Sequence, residues 1–265
     1  MAEPVFADLT EKVARIARGL AAARDAQALI DAVTKLERET KPGLGLGPIQ
    51  SMRAWLEKRR HAAEQNLERS AAAEALRGLL EIRGAFAGLA VYPDNFTPLA
   101  TGLRRCYRTT RTSFRNALSS ERDEDLHYWR KGVQHHWRQM QLLAPCWPSE
   151  LTARAEAARA ISQLLGDDHD ISLLCQLVST PTMTFGSPEE TAAFLKLGRK
   201  RHRRLRREAA VQGARLLAER SRPFAERIEA YWTAAASRAG KPALVEPVRQ
   251  DNVVAFGDLR TTRAS

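Results

Sequence analysis

The feature that most constrains this chain is the spacing of its apolar residues. They recur at helical intervals nearly from end to end, in segments dominated by Ala, Leu, Arg and Glu, and no long run alternates with period two. Such a chain folds as packed helices. The pattern predicts helices over about 4–20, 25–39, 49–89, 99–118, 122–143, 150–165, 169–179, 188–220 and 223–238. In the long 49–89 segment, Trp55, Leu56, Leu67, Leu76, Leu79, Leu80 and Phe86 are the expected core residues. The breakers are Lys41–Pro48, Tyr92–Pro98 and Thr180–Pro188. Ser187, Pro188 and Glu190 form a helix start, with Ser as N-cap and Glu at the third helical position. Residues 241–265 lack apolar periodicity and are expected to be a flexible tail.

Several classes are excluded early. No stretch approaches 18 uninterrupted apolar residues, so a spanning helix is not expected. The first twenty residues carry acids where a signal peptide needs bases, so the chain is read as cytoplasmic. Cys106, Cys146 and Cys175 are odd in number and far apart, which argues against a disulfide scaffold and a thiolate zinc knuckle.

Charge points to a partner. The chain carries 42 Lys and Arg against 31 Asp and Glu, a net charge of +11. Residues 1–100 hold 14 basic and 13 acidic groups, whereas residues 101–265 hold 28 and 18. The excess therefore sits in the second part, where a polyanion would bind. Of the basic residues 34 are Arg, whose planar fork of donors suits phosphate oxygens.

The excess is patterned. Arg104, Arg108, Arg111 and Arg115 recur at the i, i+4, i+7, i+11 spacing of one helical stripe. Lys196, Lys200, Arg203 and Arg207 repeat that spacing, as do His127, Lys131, Gln134 and Arg138, with Arg130 alongside. Lys196–Arg207 holds eight basic residues, one His and no acid, so like charges repel along it unless an anion intervenes. A solvated helix face remains the plain alternative. His169 lies in the run Gly166-Asp167-Asp168-His169-Asp170. Its acids can cap a helix beginning there, or ligate a metal across a bundle. His127 is either a phosphate donor or a core histidine.

A shift of 145 residues aligns Ile16 with Ile161, Leu20 with Leu165, Asp25 with Asp170, Leu29 with Leu174 and Val33 with Val178. It also sets Ala21 on Gly166 and Arg24 on His169. This predicts two helical bundles related by a pseudo-two-fold axis.

The segments LHYWRKGVQHHWRQMQLL and LLGDDHDISLL resemble the CHAD family, the conserved histidine α-helical domain. Leu126, His127, Arg130 and Lys131 match its Leu-His-x-x-Arg-Lys helix, and Trp137 with Leu142 and Leu143 matches the continuation. Leu165 to Asp170 match its Leu-Gly-Asp-Asp-His-Asp run, and Arg24-Asp25 is similar to the first repeat's version. The resemblance covers about residues 5–235. It implies an all-α fold of two four-helix bundles and binding of inorganic polyphosphate along a basic groove, in some members at polyphosphate granules. Two departures stand out. Gln134 replaces the lysine expected four residues after Arg130. The first repeat's His-x-x-Arg-Lys helix is missing, because the 145-residue shift carries His127 to a position ahead of Met1. Either the start is assigned too late or one wall of the groove is lacking.

The expected organisation is therefore a CHAD-like domain over 1–240, with repeats over about 1–95 and 98–238 and the first N-terminally incomplete, followed by the tail. The expected polyphosphate-binding residues are Arg104, Arg108, Arg111, Arg115, His127, Arg130, Lys131, Arg138, His169, Lys200, Arg203 and Arg207. No catalytic residue, metal ligand or cofactor is assigned. Weak nucleic-acid binding and a homodimer that completes the groove are compatible with the same charges; a membrane partner is not expected. A metal-dependent phosphoanhydride hydrolase, with Asp167, Asp168, His169 and Asp170 as ligands, is the enzymatic alternative.

Overall fold

The computed structural model describes residues 3–39, 46–66, 69–87, 95–180 and 185–239. Among them are nine α-helices, one 3-10 turn and no strand, which confirms the all-α class. The helices are α1 (Glu3–Gly19), α2 (Ala21–Arg38), α3 (Leu46–Asn66), α4 (Arg69–Ala87), α5 (Thr97–Ser120), α6 (Asp123–Leu143), α7 (Pro148–Val178), α8 (Pro188–Leu216) and α9 (Ser221–Ala239). The 3-10 turn, Ala144–Cys146, links α6 to α7. Expected boundaries hold within a few residues for α1, α5, α6, α8 and α9. Ser187 caps α8 as expected: its hydroxyl accepts from the Glu190 amide at 3.3 Å, and the Glu190 carboxylate accepts from the Ser187 amide at 2.8 Å. The expected tail, Leu67 and residues 41–45 of the first breaker lie outside the described residues.

Two expectations fail instructively. The 150–165 and 169–179 segments are one helix, α7, running straight through Gly166–Asp170. The acids there do not cap a helix start. And the 49–89 segment is two helices, α3 and α4, of which α4 buries little: Leu76, Leu79, Leu80 and Phe86 are all exposed, Leu76 at 60%. Leu56 is fully buried as expected, and Trp55 is half-buried. The reason is coverage. Among the described residues α4 makes an extensive contact with α1 alone.

Two cores organise the molecule. The first gathers Leu103, Tyr107, Trp129, Val133, Met140, Leu151, Ile161, Leu165, Phe224 and Ile228 from α5, α6, α7 and α9. The second gathers Ile30, Val33 and Leu36 of α2, Ile49, Met52 and Leu56 of α3, and Ile171, Leu174 and Val178 of α7, with Phe194 of α8. α7 belongs to both. Its residues up to Leu165 face the first core and those from Ile171 onward face the second. Apolar residues consequently occur all round it, which hides the simple amphipathic signal of a surface helix. The Gly166–Asp170 run fills the interval between the two cores. There α7 meets α6, α8 and α2 together.

Candidate functional site: the basic seam between α6 and α7

α6 and α7 form an antiparallel pair joined by the 3-10 turn. The His127 and His169 rings lie 6.0 Å apart. One turn along, the Arg130 guanidinium lies over Gly166, where a β-carbon would stand 3.2 Å from its Nη2. Gly166 thus lets the arginine lie flat against the α7 backbone. Arg130 Nε is buried without a hydrogen-bond partner. A cleft lined by Asp123, Leu126, His127, Arg130, Leu165, Asp168 and His169 opens here, but it holds only about 10 Å³. An anion would lie across the seam rather than inside it.

The acids of the motif are occupied elsewhere. Asp167 pairs with Lys35 at 2.7 Å and Arg201 at 3.6 Å. Asp168 is buried and accepts from His202 Nδ1 at 2.6 Å and from Arg206 Nε at 3.0 Å. Arg206 also donates to Asp123 at 2.7 Å and to the Glu121 carbonyl at 2.8 Å. Burial draws the Asp123 pKa upward, but hydrogen bonds from Ser172 and Arg206 outweigh it and the carboxyl ends lower than usual. Asp170 is the exception: burial pushes its carboxyl pKa up despite the nearby Arg130 and His169. Consecutive side chains of a helix diverge by about 100°, so Asp167 and Asp168 serve different neighbours. Among the described residues no three His, Cys, Asp or Glu side chains converge as metal ligands.

His127 is half-buried, and its pKa is lowered by burial and then by the charges of Lys131, His169 and Arg130. His136, further along α6, is a core residue. It packs against Tyr107 and Phe224, accepts from Arg154 Nε at 3.1 Å, and has its pKa lowered to about 3 by burial and by the Arg154 charge.

The twelve expected residues fall into separate groups. His127, Arg130 and His169 meet in the seam. Lys131 turns to the other flank of α6, 6.0 Å from the Tyr128 ring. With Arg105, Arg108 and His135 it lines a groove of about 530 Å³ between α5 and α6. Arg104 and Arg115 are exposed on α5, but Arg111 donates to the Leu217 carbonyl at 2.9 Å, satisfying the C-terminal end of α8. Tyr107 and Arg154 donate to the adjacent Leu216 carbonyl at 3.2 and 2.8 Å. Arg138 stacks 4.0 Å from the Trp137 ring centre. Lys200, Arg203 and Arg207 are exposed on α8, on the face away from its packed residues. The bases of the α8 segment divide. Arg201 and Arg204 pair with Glu39, and Arg206 with Asp123 and Asp168, so acids from other helices relieve the repulsion expected along it. The stripe spacing could not show this, because the acids lie 38 to 165 residues away in sequence. Arg105 and His135 escaped the stripe reading, and their signal was adjacency to Arg104 and His136.

An all-α protein whose described residues include a basic seam between two antiparallel helices is the class these observations define. The CHAD domain model matches residues 1–179, and the chain belongs to the CHAD family. The match ends at the close of α7, so α8 with Lys200, Arg203 and Arg207 lies beyond it. No curated protein and no solved structure matches the chain.

Proposed function

We propose that this chain binds inorganic polyphosphate without catalysis, along the α6–α7 seam, with the exposed arginines and lysines of α5 and α8 adding attraction. The observation that carries the reading is the pairing pattern. His127, Arg130 and His169 stand together, while the adjacent Asp167 and Asp168 are committed to Lys35, Arg201, His202 and Arg206. The seam therefore presents donors and positive charge where the sequence alone suggests an acidic cluster. Family membership supports the same ligand, since CHAD domains are associated with polyphosphate. Binding of this kind combines charge-assisted hydrogen bonds with counterion release. The commitment of Asp167 and Asp168 to cations weighs against the hydrolase alternative.

The test is titration of the chain with long-chain polyphosphate at physiological salt, beside duplex DNA of equal charge. Tighter binding of polyphosphate, falling steeply with added salt, is the expected result; binding equal to that of DNA would reduce the reading to general polyanion attraction. Acidification sharpens the test. Burial and neighbouring cations hold His127 below its ordinary pKa. A bound polyanion favours its protonated form, so affinity should rise as pH falls from about 8 to about 6. His127→Ala should flatten that rise. Localisation to polyphosphate granules is the cellular corollary.

A further inference from the structure

The α6–α7 seam has a second charged end. The His127–His169 and Arg130–Gly166 contacts fix the register of the pair: each step forward on α6 is a step back on α7. The same register sets Trp137 against Arg159. There Arg159 lies 5.6 Å and Arg138 4.0 Å from the centre of the Trp137 ring. Both guanidiniums are exposed, and neither has an ion pair with an acid among the described residues. Between the two ends, residues 127–138 of α6 and 159–166 of α7 contain no Asp or Glu. The register brings Gln134 level with Ser162, next to Gln163, in the middle. Eleven residues separate His127 from Arg138, about 16 Å along the helix at 1.5 Å per residue.

We propose that Arg138 and Arg159, bracketing Trp137, form a second anchor for the polyanion, so that the seam selects a linear polyphosphate long enough to reach from the histidine pair to this bracket. The proposal rests on the polyphosphate reading and adds to it a residue, Arg159, and a length requirement. Both guanidiniums lie against the one indole, whose cation–π contacts hold them in place at little cost in side-chain freedom. Two unpaired cations held side by side repel until an anion joins them. Tripolyphosphate is shorter than the span and engages one anchor at a time; a long chain engages both, and the second contact is then intramolecular.

The experiment compares tripolyphosphate with long-chain polyphosphate on the full chain at physiological salt. The variants are Arg138→Ala/Arg159→Ala and, as a control for net charge, Arg77→Ala/Arg83→Ala on α4. The bracket variant should lose about tenfold in long-chain affinity and stay within about twofold for tripolyphosphate. The α4 control should change both by less than about twofold. Arg159→Gln alone, at an exposed position that leaves Arg138 on Trp137, should lose about threefold for the long chain and keeps the test informative if the double variant melts early. A bracket variant that behaves like the α4 control would overturn the second anchor while leaving polyphosphate binding intact. A wild-type chain that does not prefer long-chain polyphosphate over DNA would overturn the function itself.

Discussion

α7 and its counterpart in the first half show what neighbours do for the same helical pattern. Shifted by 145 residues, Pro148–Val178 falls on residues 3–33, the stretch occupied by α1 and most of α2. In the second half this stretch is one unbroken helix; in the first it divides at Leu20, the position matching Leu165. α7 is enclosed by α6, α8 and α2, and Leu165 is buried. Leu20 is exposed, and so are Val13 of α1 and Leu76, Leu79, Leu80 and Phe86 of α4. Among the described residues α1 packs on α4 and lightly on α2, whereas α7 is held by α6, α8 and α2. Polar residues differ as well. Where α7 has Gly166, Asp167 and Asp168, the first half has Ala21, Ala22 and Ala23. A helix can run through Gly-Asp-Asp only when tertiary partners satisfy it, since Gly and Asp are poor helix formers. Alanines need no such partners, yet the exposed stretch beside Leu20 is the one that breaks.

The sharpest way to break this contrast is to remove one partner. Asp168→Ala imports the first half's residue and leaves His202 and Arg206 facing a buried gap. Loss of about 3–5 kcal/mol in urea unfolding is expected; a loss below about 1 kcal/mol would show that α7 does not depend on these pairs.

Next comes coverage. Leu174→Ala, in the core shared by α2, α3 and α7, should cost about 2–5 kcal/mol. Leu79→Ala on α4, which is 46% exposed, should stay within about 0.5 kcal/mol. Equal losses at the two positions would mean that α4 is covered in solution.

Titration reports on the second half's core. His136 sits there with its pKa near 3. The unfolded chain protonates His136 near 6.5, and the folded chain does so only near 3. Between those values the unfolded state binds the extra proton, so stability is full above pH 6.5 and falls on acidification. The slope is about 1.4 kcal/mol per pH unit for one proton. His136→Gln should remove that component of the slope, whatever its effect on stability at neutral pH.

The smallest effect divides stability from binding. Gly166→Ala again imports a first-half residue, and helix propensity favours it by up to about 1 kcal/mol. Its methyl would press on Arg130, which can swing away, so the melting point should hold or rise slightly. Long-chain polyphosphate affinity should nevertheless fall about threefold as Arg130 leaves the seam. Unchanged affinity would detach Arg130 from the site.

Much of the fold is legible in the sequence because helices are local. Apolar spacing marks most of the helices, and Ser187 with Glu190 marks the start of α8. Local signals mislead at Gly166–Asp170, which read as a helix junction. The residues that keep α7 intact there, Lys35, Arg201, His202 and Arg206, lie on other helices. The candidate site was half legible. His127, Arg130 and His169 could be picked out by their motifs, and the structure brings them together. Arg111 fits a basic stripe by spacing, but only the fold reveals that it serves the Leu217 carbonyl. Arg159 is not distinguished by spacing at all; its meaning comes from Trp137 on the neighbouring helix.

By itself, then, the sequence determined an all-α chain, a positive second half and the two motifs of the CHAD family. Each of these depends on residue type and on separations of a few residues, where backbone geometry alone sets what is adjacent. Tertiary structure decided which charges are free. An arginine beside a carboxylate from another helix is neutralised and an identical arginine two positions on is not, and that difference depends on distances across the bundle that no one-dimensional spacing contains.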